Sequence, residues 1–357
     1  MVPGLAAPVA VDNHRRMSEV ESLRSLGWDD EWAAQPMPDD PTARPGRLVR
    51  VERGECDAVT EVGAERVASD SLRAQDQIAP VTGDWVAVVD DPDVGPAVGA
   101  ILPRRRVLVR RDPSEEVVEQ PLVANIDAVG VVHGLDRPLS PGRIERFLVL
   151  AWDSGATPLI VLTKADEVRA DEADRVAGVV AAIAPDIEIV TTRLDRPQTA
   201  EALRVFAPPG DTLVLIGESG SGKSTLVNLL VGDERQSTTE VRDGDAAGRH
   251  TTVTRDLVAL PDGGMIIDTP GVRAVGVWDA DDALVRVFDD IIELAHGCRF
   301  GDCVHGPEPG CAVRAAVAAG DLDERRLERY QLMVDELAQQ ADRARERGRR
   351  GGGRRRR

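Results

Sequence analysis

Between residues 123 and 271, short apolar runs alternate with longer stretches whose apolar positions recur every three or four residues. The runs "NIDAVGVVHGL" (125–135), "TPLIVLTKAD" (157–166), "IEIVTT" (187–192) and "DTLVLIG" (211–217) read as buried strands. Between and after them, "SPGRIERFLVLAWDSG" (140–155, capped by Ser140), "DEADRVAGVVAAIA" (171–184), "TAEALRVFA" (199–207) and "GKSTLVNLLVG" (222–232) read as helices. Strand–helix–strand repetition predicts a mainly parallel sheet covered on both faces. "TRDLVALPDGGMIIDTPG" (254–271) adds a hairpin. Upstream the pattern is different. "GRLVRVERGECDAVT", "ERVASD", "GDWVAVVDD" and "VGAILPRRRVLVRR", all within 46–112, are short β-rich runs broken by Gly, Asp and Pro. About five such strands predict a small barrel of the OB type, with an SH3-like barrel as the alternative. Beyond Trp278 helices flank a Cys/His cluster, and a long amphipathic helix from about Asp321 runs into an Arg-rich end.

The fold class expected is therefore α/β and multidomain. A flexible, Pro-rich and acidic arm occupies 1–45, an OB-type barrel 46–115, an α/β domain 120–276, a helical metal-binding domain 277–341 and an Arg-rich tail 342–357. The chain of 357 residues is 42% hydrophobic and 30% charged, a globular composition. Its net charge of -18 argues against a polyanionic partner for the bulk of the surface. The tail changes that picture locally, because it holds nine Arg against two acids and leaves about -25 on the rest. No apolar run approaches the ~18–20 residues of a membrane span, and no secretion signal opens the sequence. With three of four Cys clustered beside a His, the expectation is a reduced, cytoplasmic protein.

Three motifs carry the chemistry. "GESGSGKS" (217–224) matches G-x-x-x-x-G-K-[ST], with an apolar strand before it and a helix after it. Glycines let backbone N–H groups converge on phosphates, Lys223 reaches the β- and γ-phosphates, and the Ser224 hydroxyl ligates Mg²⁺. In "MIIDTPG" Asp268 holds Mg²⁺ through water and the Gly271 N–H meets the γ-phosphate. In TKAD the acceptor-only carboxylate of Asp166 suits the two adjacent donors of guanine, while Lys164 lays its stem over the base. The order is unusual, because the base reader precedes the phosphate loop, with Thr191–Thr192 between them as a second base-side loop. A circular permutation explains it, since strand adjacency rather than chain order builds such a site. It leaves DTPG as the last site motif before the C-terminal domain.

Within "GRHTTVTRD" (248–256) a Thr completes the Mg²⁺ shell, Thr252 first and Thr251 as runner-up. Val272 stands where many signalling GTPases place a water-orienting Gln. His250 is the candidate to take that role, and intrinsic turnover should be slow. Cys298, Cys303, His305 and Cys311 form C-x4-C-x-H-x5-C, a closed tetrahedral set for one structural Zn²⁺. Cys56 reads as a core residue, His296 as spare, and His14 and His133 as outside any constellation.

Together these features resemble the ribosome-small-subunit-dependent GTPase family, RsgA/YjeQ. "LGWD", "GDWV", "LPRR", "RHTT", "KST", "DTPGVR" and CRF-x-DC-x-H-xx-EPGC carry the resemblance over roughly residues 20–335. It implies GTP hydrolysis to GDP stimulated by the 30S subunit, a role in late maturation of that subunit, and contact with 16S rRNA by a monomer. It implies that Thr163, Lys164, Ala165 and Asp166, with Gly217, Glu218, Ser219, Gly220, Ser221, Gly222, Lys223, Ser224 and Thr225, bind GTP. It also implies zinc on the four Cys/His ligands and a catalytic role for His250. Two departures stand out. Thr163 replaces the usual Asn, and its shorter side chain is expected to span less of the gap between base and phosphate loop. Val253 replaces a Thr. With Trp85 as the barrel's lone aromatic, rRNA is expected to be read through its backbone by Arg44, Arg47, Arg50, Arg104, Arg105, Arg106, Arg110 and Arg111. The tail is expected to be a flexible RNA-binding arm or a dispensable end. An RNA-binding assembly factor using GTP as a conformational ligand, and a P-loop ATPase, stand as alternatives.

Overall fold

A computed structural model describes residues 17, 22–69, 79–110, 120–196, 198–232, 255–268 and 281–352. A 3-10 turn at Leu23–Leu26 leads to helix α1 (Asp30–Ala33), whose N-cap Asp29 accepts from the Trp32 N–H at 2.8 Å. Five strands follow: β1 (Arg44–Val51), β2 (Glu55–Thr60), β3 (Gly63–Ala68), β4 (Trp85–Asp91) and β5 (Gly95–Ile101). Their order is β1-β2-β3-β5-β4, with β4 returning to β1. Four of the five contacts are antiparallel and β3–β5 is parallel, which is the closure of an OB-type barrel. Gly46 sits where β1 pairs with both neighbours; a Cβ there would lie 3.0 Å from Thr60 Cγ2 and 3.1 Å from Val88 Cγ2. Leu48, Cys56, Ala58, Val67, Val86, Val88 and Val98 fill the barrel. Burial pushes the Cys56 thiol up to about 11, so this cysteine is an inert core residue.

The expected flexible arm is folded over its second part. Leu23, Leu26 and Trp32 are buried, and Trp28 meets the edge of Trp85 at 4.8 Å. The reason is area. Burying a large apolar side chain such as Trp32 contributes roughly 2–3 kcal/mol, enough to order a short segment against the barrel.

After the ribbon β6 (Val107–Arg110) and β7 (Gln120–Ala124), the alternating pattern unfolds as expected. It gives β8 (Ala128–Gly134), α2 (Pro141–Asp153), β9 (Thr157–Thr163), α3 (Ala170–Ile183), β10 (Glu188–Thr191), α4 (Gln198–Arg204), β11 (Thr212–Gly217), α5 (Lys223–Val231), β12 (Asp256–Ala259) and β13 (Met265–Asp268). The sheet runs β10-β9-β8-β11-β13-β12, parallel except for β12. The core beneath it gathers Val132, Leu159, Val161, Leu203, Leu215, Leu226 and Ile266.

Barrel and sheet are joined by one strand pairing. Strand β12 pairs with β1 at Asp256 and Arg50, whose side chains join at 2.6 Å. Arg47 is 2% exposed and donates to the Leu26 carbonyl, to Asn125 O at 2.9 Å and to Thr212 Oγ1 at 2.9 Å. Burial pushes its pKa down to about 10, opposed by Asp127, Asp211 and Asp84, so it stays charged.

The chain divides into two compact units, one of residues 1–109, 121–139 and 154–273, the other of 110–120, 140–153 and 274–357. Helix α2 thus belongs with the C-terminal elements α6 (Asp281–Val287), α7 (Asp289–Ala295), α8 (Ala312–Ala319) and α9 (Glu324–Gly352), not with the domain that surrounds it in sequence. Glu145 of α2 explains this. Fully buried, it accepts from Arg326 Nη1 at 3.0 Å and from Arg329 Nε at 2.6 Å, while Arg326 also holds Asp290 of α7. Helix α9 continues to Gly352, so the first part of the Arg-rich tail is helical. Among the described residues no helix is long and apolar enough to cross a membrane.

Candidate nucleotide site and metal cluster

In parallel sheets ligand loops follow the carboxyl ends of the strands. Here β9, β8 and β11 end level with one another, Gly134 beside Thr163 and Gly217 beside Val132. TKAD and the phosphate loop, fifty-one residues apart between Asp166 and Gly217, therefore open on the same edge. Gly217 has φ +145° and its Cβ would lie 2.3 Å from Val132 O, so no other residue fits. Gly222, at φ +94°, begins α5 and leaves room for Thr163, whose Oγ1 a Cβ would approach to 3.1 Å.

That room matters, because the Thr163 hydroxyl donates to Ser221 O at 2.6 Å. Short as it is, the Thr163 side chain reaches the phosphate loop. Strand register brings the two backbones close enough for one hydroxyl to span them.

Lys223 is 9% exposed, and its ammonium donates to Gly217 O at 2.8 Å and Glu218 O at 2.6 Å, within the loop that phosphate oxygens would enter. Ser224 is exposed in the first turn of α5, and Asp268 ends β13 next to β11. Asp166 is exposed, with the Leu194 N–H 3.4 Å from Oδ1. The expected second base-side loop lies alongside: Thr192 accepts from the Ala165 N–H at 3.2 Å. His250, Thr251, Thr252, Val253, Gly271, Val272, Arg111 and His14 lie outside the described residues.

The edge also holds residues that no motif announced. Asp136 and Arg137 follow β8; Lys164 donates to Asp136 at 2.7 Å, and Arg137 donates to Ser219 O and Gly220 O, each at 2.9 Å. The available signal was positional, since this loop follows a strand lying between the two motif strands. His133, buried just before it, has its pKa pushed down by desolvation and so is neutral near pH 7.

The second constellation is compact. The ligand atoms of Cys298, Cys303, His305 and Cys311 all lie within 4.8 Å of one another. Cys298 Sγ is 3.7 Å and Cys311 Sγ 3.6 Å from His305 Nδ1, and the two sulfurs are 3.9 Å apart. Tetrahedral zinc, with bonds of about 2.3 Å to sulfur and 2.0–2.1 Å to nitrogen, demands separations of roughly 3.6–3.8 Å. The residues fit the ion. His305 adopts φ +60°, and its carbonyl accepts from Arg314 Nε at 3.1 Å and Gln331 Nε2 at 3.0 Å, which holds the backbone that carries the ring. Burial lowers the His305 pKa and keeps the imidazole neutral, as a ligand must be. Cys311 Sγ also caps α8 by accepting the Arg314 N–H at 3.4 Å. His296 is exposed and stands outside the group.

Most of the barrel arginines stand in ion pairs. Arg44 is paired with Glu65 at 2.6 Å, Arg104 with buried Asp84 at 2.7 Å and Arg105 with Asp29 at 2.8 Å, while Arg106 bonds Asp127. With Arg47 buried and Arg50 on Asp256, six of the eight are already committed within the protein. A phosphate contact from Arg47 would have to unbury its charge, and one from the others would share the guanidinium with a carboxylate. Trp85 is 1% exposed and offers no stacking surface.

The RsgA GTPase family model matches residues 101–278. Over 325 residues the chain is 45% identical to the small ribosomal subunit biogenesis GTPase RsgA of Streptomyces coelicolor, covering 89% of this chain and 87% of that protein. The protein of the same name from Xanthomonas axonopodis pv. citri is 38% identical over 335 residues, 90% of each chain. Among solved structures, YjeQ from Thermotoga maritima superposes with a TM-score of 0.60 at 26% identity, covering 83% of this chain and 99% of that one. YloQ, described as a circularly permuted GTPase, shares the fold at a TM-score of 0.59 and 22% identity, covering 85% and 98%.

Proposed function

The chain belongs to the RsgA GTPase family, and from that premise we propose that it hydrolyses GTP on the 30S subunit during late maturation of that particle. The observation that carries the reading is the meeting of TKAD and the phosphate loop through Thr163 and Ser221, which joins a guanine reader to a phosphate cradle. In this reading Asp166 accepts from guanine and Lys164 covers the ring. Ala165, Gly217, Glu218, Ser219, Gly220, Ser221, Gly222 and Thr225 shape the pocket, and Lys223 meets the phosphates. Ser224, Asp268 and Thr252 would hold Mg²⁺, which would supply positive charge beside the phosphate oxygens. His250 orients the attacking water, and the Gly271 N–H senses the γ-phosphate. The Cys/His cluster holds one structural Zn²⁺, and the protein works as a cytoplasmic monomer.

Contact with 16S rRNA is assigned to the Arg-rich end, because the barrel's arginines are occupied. Truncation after Ala341 should weaken 30S binding and flatten its dependence on salt, since each lost phosphate contact removes released counterions. The decisive test is GTP turnover with purified 30S subunits, with 50S subunits and with neither. Stimulation by 30S alone is expected; equal rates in all three would end the reading. A Lys223→Ala protein that still promoted 30S maturation at the normal rate would favour a conformational rather than hydrolytic use of GTP.

A further inference from the structure

The loop after β8 touches both halves of the nucleotide edge. The Arg137 guanidinium forks onto two consecutive phosphate-loop carbonyls, Nη1 to Ser219 O and Nη2 to Gly220 O, each 2.9 Å. Its Nε lies 3.3 Å from Asp136 Oδ1, and Asp136 Oδ2 accepts from Lys164 Nζ at 2.7 Å. One carboxylate thus ties the base-side lysine to the arginine that grips the phosphate loop. Two glycines make room for it. A Cβ at Gly134 would meet Asp136 Oδ1 at 2.5 Å, and one at Gly220, where φ is +72°, would lie 3.2 Å from Arg137 Nη2.

We propose that Asp136 and Arg137 are positioning residues for the guanine nucleotide, holding the phosphate loop open and the base-side lysine in place before the ligand arrives. In a trans peptide the N–H points opposite to the carbonyl. A guanidinium on the carbonyls of Ser219 and Gly220 therefore turns the N–H groups of Gly220 and Ser221 to the other side; the Ser221 N–H donates to Glu218 O at 3.3 Å and would exchange that bond for a phosphate oxygen. The same fork polarises those two peptide units and strengthens their N–H groups as donors. Arg137 need not touch the nucleotide to do this; it acts through the loop. A lysine cannot reproduce the effect, since its single ammonium has no planar fork to bridge two carbonyls.

This inference rests on the nucleotide reading above, and the experiment keeps the two apart. Fluorescent GDP and GTP analogues are titrated against the wild-type chain, Arg137→Ala, Arg137→Lys and Asp136→Asn, and steady-state GTP turnover is measured for each. The expected result for Arg137→Ala is a rise of about tenfold in Kd, similar for GDP and GTP, equivalent to ~1.4 kcal/mol. The loss should fall on KM more than on kcat. Arg137→Lys should recover less than half of it on a logarithmic scale, and Asp136→Asn should cost about threefold. Wild-type Kd values in Arg137→Ala would overturn the proposal, as would a loss confined to kcat. Should Arg137→Ala fail to fold, Arg137→Lys and Asp136→Asn decide alone, and unchanged Kd in both overturns it. A wild-type chain that bound no GDP would instead overturn the nucleotide reading itself.

Discussion

The metal cluster and the nucleotide edge are built on opposite principles. Four candidate ligands within residues 298–311 supply the first, so that neighbours in sequence are neighbours in space. The second gathers loops that follow β8, β9, β10 and β11, and only the sheet's strand order brings them together. A local site carries its architecture with it. A dispersed site borrows its architecture from the fold, so chain order can be permuted around it without harm.

That contrast can be attacked directly, beginning where the effect should be largest. Cys311→Ser removes a ligand and the cap of α8. Structural zinc is worth on the order of 10 kcal/mol in small domains. The metal should be lost, read by elemental analysis, and helical signal from the C-terminal unit should fall, while GDP affinity changes less than tenfold. Collapse of GDP binding as well would show that the two sites are not independent.

Lys223→Ala should lower affinity for GDP by about a hundredfold, because a charge-assisted contact to phosphate is lost (~3 kcal/mol). Calorimetry reads the affinity, and circular dichroism should show the fold intact. Asp166→Ala should weaken GDP by about thirtyfold without changing the much weaker binding of ADP, since the carboxylate is matched to guanine's two donors. A parallel loss for ADP would mean that the residue shapes the pocket rather than reading the base. The smallest effect is expected from Thr163→Val, which keeps the shape and removes the hydroxyl that binds Ser221 O. It should cost GDP affinity about fivefold (~1 kcal/mol), whereas Thr163→Asn should retain the link.

Much of the fold was legible because it rests on periodicity. The parallel sheet follows from apolar runs spaced by helices, and the OB-type barrel from short strands between glycines. The phosphate loop, TKAD and the Cys/His ligands were legible because their spacing is itself the chemistry. What the sequence hid was pairing. Arg50 meets Asp256 across 206 positions, and Arg104 finds Asp84 only once β4 is in the barrel. A count of arginines says nothing about which are neutralised, so a basic surface was expected where ion pairs stand. Trp28 and Trp32 gave no periodic signal, since their burial depends on Trp85 in a later strand. Helix α2 reads as an ordinary crossover, and the fully buried Glu145 gives no hint of partners near the far end of the chain.

That last residue has a mechanical implication. Glu145 anchors α2 among arginines of α9, and only eight positions separate it from Arg137, whose fork rests on the phosphate loop. The stretch 140–153, early in the chain, is thus fastened by ion pairs to arginines 181 and 184 positions later, and its place in the second unit does not depend on its sequence neighbours.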